Sequence, residues 1–140
     1  MATDYLKVVF YLAALFNSGV ILVSRGFSEK LGEVDPLFSS DGCKCIVLWG
    51  MAYASIANRY DVVPLASLVF ALEKFFYAKH WIVWTKENDV NALIRKDPLT
   101  GLFFSAYGAG DAAFGIFFAY VALRFRQNMF NSIAYKIKSS

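Results

Sequence analysis

Four apolar segments, Tyr5–Val23, Cys43–Ala57, Val62–Trp84 and Leu102–Leu123, take up more than half of this chain and limit what it can fold into. A chain of 140 residues that is 58% hydrophobic and only 18% charged has more apolar surface than a single water-exposed core of that size hides. A bilayer removes the problem, because a helix of roughly 20 residues at about 1.5 Å rise crosses its hydrocarbon. The first, third and fourth segments reach that length, while the second is short and needs to extend to residue 60. The expectation is an all-α integral membrane four-helix bundle. It is a single transmembrane domain over 1–140, with helices near 5–23, 43–60, 62–84 and 98–123 and a basic tail at 124–140.

The first segment reads as a helix and not as a signal peptide, since only Lys7 is basic at its start and no small-x-small cleavage pattern follows cleanly. Four spans put both termini on one side. Lys7, Arg59, Arg124, Arg126, Lys136 and Lys138 then face Arg25, Lys30, Lys44, Lys79, Lys86, Arg95 and Lys96, six against seven, which orients nothing. The tail holds four basic residues and no acid, which suits an anionic cytoplasmic leaflet, so both termini are expected to be cytoplasmic. The net charge of +3 is thus a topology and lipid signal. No basic stripe interleaved with aromatic residues lies outside the apolar segments, and nucleic acid is set aside as a partner.

Organisation along the chain hints at duplication. Asp35-Pro36-Leu37-Phe38 precedes the second segment and Asp97-Pro98-Leu99-Thr100 the fourth, each a helix start by its Asp cap and first-turn Pro. Downstream, Trp49-Gly50-Met51-Ala52-Tyr53-Ala54 aligns with Tyr107-Gly108-Ala109-Gly110-Asp111-Ala112. The pattern implies two parallel helical-hairpin repeats, with Tyr53 in the place of Asp111, and repeats of this kind carry sites between their halves. The minimal turn Asn58-Arg59-Tyr60-Asp61 makes helices two and three antiparallel neighbours, and the longer connections 24–42 and 85–101 read as a solvated, charge-balanced cap.

Glu73, Lys74 and Asp111 stand near the middle of their apolar segments, where ionisable groups are costly and turn inward to pair or to function. Two carboxylates and one lysine leave one negative charge over. It invites a proton, a cation, or Arg25 reaching in from the end of the first helix. At about 100° per residue, Tyr77, His80 and Trp84 share the face of Glu73, and Tyr107 shares that of Asp111. Asn17 on the first helix and Trp49 and Tyr53 on the second supply the matching polar-aromatic seams, which should face one another because unpaired polar groups in lipid cost several kcal/mol. The candidate ligand site is therefore Glu73, Lys74, Asp111, Tyr77, His80, Tyr107, Tyr53, Trp49 and Asn17, with no metal ligand set and no named cofactor.

Other chemistries find little footing. Cys43-Lys44-Cys45 is too close for an unstrained disulfide and too poor in partners for zinc, leaving two free, half-buried thiols. The single histidine excludes a histidine pair on haem, and no phosphate-binding fingerprint follows a strand. No serine has an obvious histidine partner, so an enzyme would have to use Glu73 or Asp111 as acid and base on a lipid-like substrate. Gly108, Ala112, Gly115 and Ala119, and Gly50, Ala54 and Ala57, form small-residue ridges suited to close packing or to a homo-oligomer. The leading expectation is a bundle that binds or conducts a small ligand, cation or proton. An accessory subunit of a larger membrane complex, its buried charges fixing helix register, is the alternative, and a membrane-embedded lipid-modifying enzyme the third.

Overall fold

The computed structural model describes residues 4–131, so Lys136 and Lys138 of the basic tail lie outside the described residues. The chain is all-α, with no strand among the described residues. Five helices have both ends among the described residues, α1 (Tyr5–Val23), α2 (Ser40–Ile56), α3 (Pro64–Glu87), α4 (Val90–Lys96) and α5 (Pro98–Arg124), and helical backbone resumes over 126–131. Single 3₁₀ turns at Gly26–Ser28 and Pro36–Phe38 punctuate the connection between α1 and α2.

Caps explain most of the boundaries. Asp4, Asp89 and Asp97 accept from the backbone N–H three residues on, each satisfying one of the donors a helix start leaves free. Ser39 does the same for Gly42, so α2 begins ahead of the apolar run rather than at Cys43. It stops at Ile56 instead of reaching residue 60, because the backbone turns at 57–62 and the Tyr60 side chain is taken by Asp4, its hydroxyl donating at 2.9 Å. The Asp35-Pro36 step starts only a 3₁₀ turn, whereas Asp97-Pro98 starts the longest helix.

Among the described residues two helices, α1 and α5, are long and apolar enough to cross a membrane. This narrows the expectation of four spans, three of them of full length. At 24 residues α3 has the length, but Glu73, Lys74, Lys79, Lys86 and Glu87 dilute its apolar character, and α2 with 17 residues is short.

The closest helix pairs are α1 with α2 and α3 with α5, each a hairpin, and α4 folds back on α5. Close approach within each pair depends on small residues. A Cβ at Gly50 would stand 3.0 Å from the Ala14 carbonyl oxygen of α1, and one at Gly108 would stand 2.2 Å from Trp81 Cγ of α3. These are corresponding positions of the two aligned hexapeptides, so Gly50 and Gly108 are used inside the chain and not offered to a second copy. Helices α2 and α3 meet only through long side chains, Tyr53 and Trp49 reaching Phe70.

The connection between α1 and α2 departs from a purely solvated cap. Leu31 and Phe38 are buried in it, and Phe38 packs edge-on against Phe103, Phe104 and Tyr107 of α5. Arg25, held at φ 59°, sends its guanidinium to Asp97 at 3.0 Å and ties this connection to the start of α5. Hydrogen bonds from Thr100, reinforced by the Arg25 charge, hold the Asp97 carboxyl below its ordinary value.

Three expected outcomes follow from this packing. Gly108→Ala, whose methyl meets a Trp81 ring anchored by its N–H to the Phe104 carbonyl, costs about 1–3 kcal/mol by thermal unfolding in detergent. Gly19→Ala, which meets nothing within 4 Å on α1, is neutral or gains up to about 1 kcal/mol. A carboxyl with a lowered folded value stabilises above its unfolded value and loses that contribution as pH falls. The stability advantage of the wild type over Asp97→Asn should therefore be present at neutral pH and vanish on acidification through the carboxylate range.

Candidate functional site

Inside the helices two aromatic clusters lie one above the other. One gathers Ile21, Phe38, Ile46, Tyr77, Phe103 and Tyr107 toward the α1–α2 connection; the other gathers Phe10, Tyr53, Ala57, Phe70, Phe118 and Val121 toward the α2–α3 turn. On each of α1, α3 and α5 one buried polar residue separates the two groups: Asn17, Lys74 and Asp111. They form a polar layer.

Lys74 is only 1% exposed and makes the layer. Its ammonium donates to Asp111 Oδ1 at 2.6 Å and to Asn17 Oδ1 at 2.5 Å, with the rings of Phe16 and Tyr53 about 5.5 and 5.4 Å away. Asn17 passes the chain of bonds to α2, its amide donating to the Ile46 carbonyl at 3.0 Å. One ammonium thus ties α1, α3 and α5 directly and α2 through Asn17. A buried charge with a single partner is expensive; two charge-assisted hydrogen bonds and two aromatic faces compensate it.

Glu73 points elsewhere. The Tyr53 hydroxyl, fully buried on α2, donates to Glu73 Oε2, and Glu73 makes no ion pair among the described residues. The layer therefore holds two carboxyl groups and one ammonium, and the carboxyl without a counter-charge there is that of Glu73. Glu73, Lys74, Asp111, Asn17, Tyr77 and Tyr107 together line a cavity of about 20 Å³ of water-accessible space, with Phe16, Phe38 and Phe103 among its apolar walls. That space admits about one water-sized group. Tyr107 is 4% exposed, and its hydroxyl has no hydrogen-bond partner among the described residues.

Seven of the nine residues named from the sequence thus come together: Glu73, Lys74, Asp111, Asn17, Tyr53, Tyr77 and Tyr107. The other two do not reach the cavity. His80 lies toward the end of α3, where its Nε2–H donates to Asp35 Oδ2 at 2.6 Å, and Asp35 also caps the Pro36–Phe38 turn. Trp49 is half-buried on the outer side of α2, edge-on to Phe70. Arg25 is engaged with Asp97 and supplies no counter-charge to the layer. Phe38 and Phe16 were not visible as site residues: the first comes from a connection, the second sits beside Asn17 in an apolar run. Cys43 is buried, with its thiol donating to the Phe38 carbonyl, and Cys45 is exposed; neither borders the cavity. No group of three metal-ligating side chains occurs among the described residues.

Comparison with protein-family models, with curated proteins and with solved structures finds no match.

The layer makes a sharp expectation about coupling. Lys74→Met leaves Asp111 buried without its counter-charge and costs about 3–5 kcal/mol, whereas Lys74→Met combined with Asp111→Leu recovers most of that loss. Chemical or thermal unfolding of the four members of the cycle in one detergent measures it.

Proposed function

We propose that this chain is a small polytopic membrane protein, a four-helix bundle made of two hairpin repeats, that binds a small cation or a proton at its central charged layer. The observation that carries the reading is the uneven partnering of the two carboxylates. Asp111 is neutralised by Lys74, while Glu73, facing the same cavity, has only the Tyr53 hydroxyl among the described residues. Structure alone needs one carboxylate for one ammonium; the second asks for a further positive charge or a proton. A cavity that admits about one water-sized group favours binding over conduction.

The bilayer part of the reading rests on the outward faces. Leu65, Leu68, Val69, Leu72 and Phe76 are exposed along α3, and Leu15, Leu22, Leu48, Met51, Ile116 and Leu123 continue the apolar surface over α1, α2 and α5. A surface this apolar belongs against lipid or another protein. The bundle is placed with both termini at the cytoplasmic side.

A second reading has its own support. Because the Lys74 cluster ties four helices at one level, buried charge here also serves as a register device, which is what an accessory subunit of a membrane complex needs. Glu73→Gln separates the two, since a glutamine carbonyl still accepts from Tyr53 and the Lys74 clamp is untouched. Native mass spectrometry of gently extracted protein should find a small bound species on the wild type that Glu73→Gln, equally folded, has lost. A co-purifying partner protein retained by both, with no small species on either, would favour the accessory role and overturn ligand binding.

A further inference from the structure

Beside the polar cavity runs a second, larger one. It holds about 290 Å³ between α1 and α5, walled by Phe16, Gly19, Val20, Leu102, Phe103 and Ala106, with Tyr107 at its inner end. Phe16, Val20, Phe103 and Tyr107 border both spaces, so these four side chains are what stands between the groove and the charged layer. Helices α1 and α5 touch only sparsely here, and Gly19 has no atom of any neighbour within 4 Å of where a side chain would start. The Tyr107 side chain belongs to this partition, and its buried hydroxyl has no partner among the described residues.

Three observations select an occupant. The groove is apolar and open to the side, which fits a hydrocarbon chain drawn from the bilayer. The inner cavity admits only about one water-sized group, which excludes a phosphate-bearing headgroup and accepts a polar end of one heavy atom. The layer beyond holds one carboxyl group more than it has ammonium groups, and the stacked rings of Phe103 and Tyr107 beside it offer outer faces to a cation. We propose that the groove between α1 and α5 is the binding site of a lipophilic amine, its chain lying against Gly19 and Ala106 and its ammonium reaching past the Tyr107 hydroxyl to the Glu73 side of the layer. This rests on the reading above that the layer takes a cation, and names that cation as the end of a membrane-dissolved molecule.

The test uses the full chain in phosphatidylcholine nanodiscs and two photoactivatable probes of equal length, a diazirine-bearing hexadecylamine and the matching hexadecanol. The amine should label saturably, with adducts mapping to the α1 and α5 segments that wall the groove. The alcohol should need at least about tenfold higher concentration for the same yield, the loss of one charge-assisted contact. Gly19→Leu fills the groove from α1 and Ala106→Leu from α5; either should abolish labelling while circular dichroism and melting stay at wild-type values, and Tyr107→Phe should weaken it about tenfold. Equal labelling by amine and alcohol overturns the choice of an amine. Labelling that persists in both groove-filling variants overturns the groove. If Glu73→Gln removes labelling while the groove variants leave it intact, the cation site stands and only the lateral path fails. If Glu73→Gln labels like wild type, the cation reading of the layer fails with it.

Discussion

The Lys74 ammonium is the point on which the rest of the architecture turns. It lies almost wholly out of solvent, and a charge in that position persists only when it is paired and hydrogen-bonded. Asp111 and Asn17 supply two acceptors from α5 and α1, and Asn17 is itself fixed by the Ile46 carbonyl of α2. A shift of any of these helices by one turn along its axis, about 5.4 Å, breaks at least one of these bonds. Apolar packing in the two aromatic clusters is compatible with several registers; the polar layer between them is compatible with one.

Small residues let that layer form. Gly50 brings α2 onto α1, Gly108 lets α5 close over Trp81, and Gly115 admits Phe75 and the Lys74 stem beside α5. The two hairpins are each tight within themselves and touch one another through long side chains, Tyr53 to Glu73 and Lys74 to Asn17. This division has a functional side. Between hairpins the contacts are sparse enough to leave the groove along α1 and α5, bordered by Tyr107, whose buried hydroxyl has no partner among the described residues.

Much of this was legible because charge in an apolar segment has few places to go. The inward placement of Glu73, Lys74 and Asp111 was read from their depth in apolar segments, and the offset of about 100° between adjacent residues on α3 is what sends Lys74 to Asp111 and Glu73 to Tyr53. The paired glycines of the aligned hexapeptides likewise mark the two hairpins. Helical phase failed where position along the axis mattered as well: His80 shares the face of Glu73 but lies two turns on, where Asp35 meets it. Phe38 was hidden for a different reason. Nothing local distinguishes an aromatic residue in a connection that folds into the core from one that stays in solvent, and only tertiary contact with Phe103 and Tyr107 decides it. The extent of α2 was misjudged because the length a span needs was sought past Ile56, through Asn58 and Arg59, whereas the helix gains its length at the other end, from Ser40, and the backbone is already turning after Ile56.

The central claim is that the charged layer lies within lipid, and it is tested by placing a nitroxide at that level on the outside of α3, the helix whose own charges make its membrane burial least obvious. Leu72 is exposed there next to Glu73 and Lys74, so Leu72→Cys in a Cys45→Ser background carries the label. Power-saturation electron paramagnetic resonance in phospholipid vesicles compares its accessibility to oxygen, which concentrates in the bilayer centre, with that to a water-soluble nickel chelate. Strong oxygen accessibility with little access for nickel is the expected result; dominant access for nickel would place the layer in water and contradict the membrane reading.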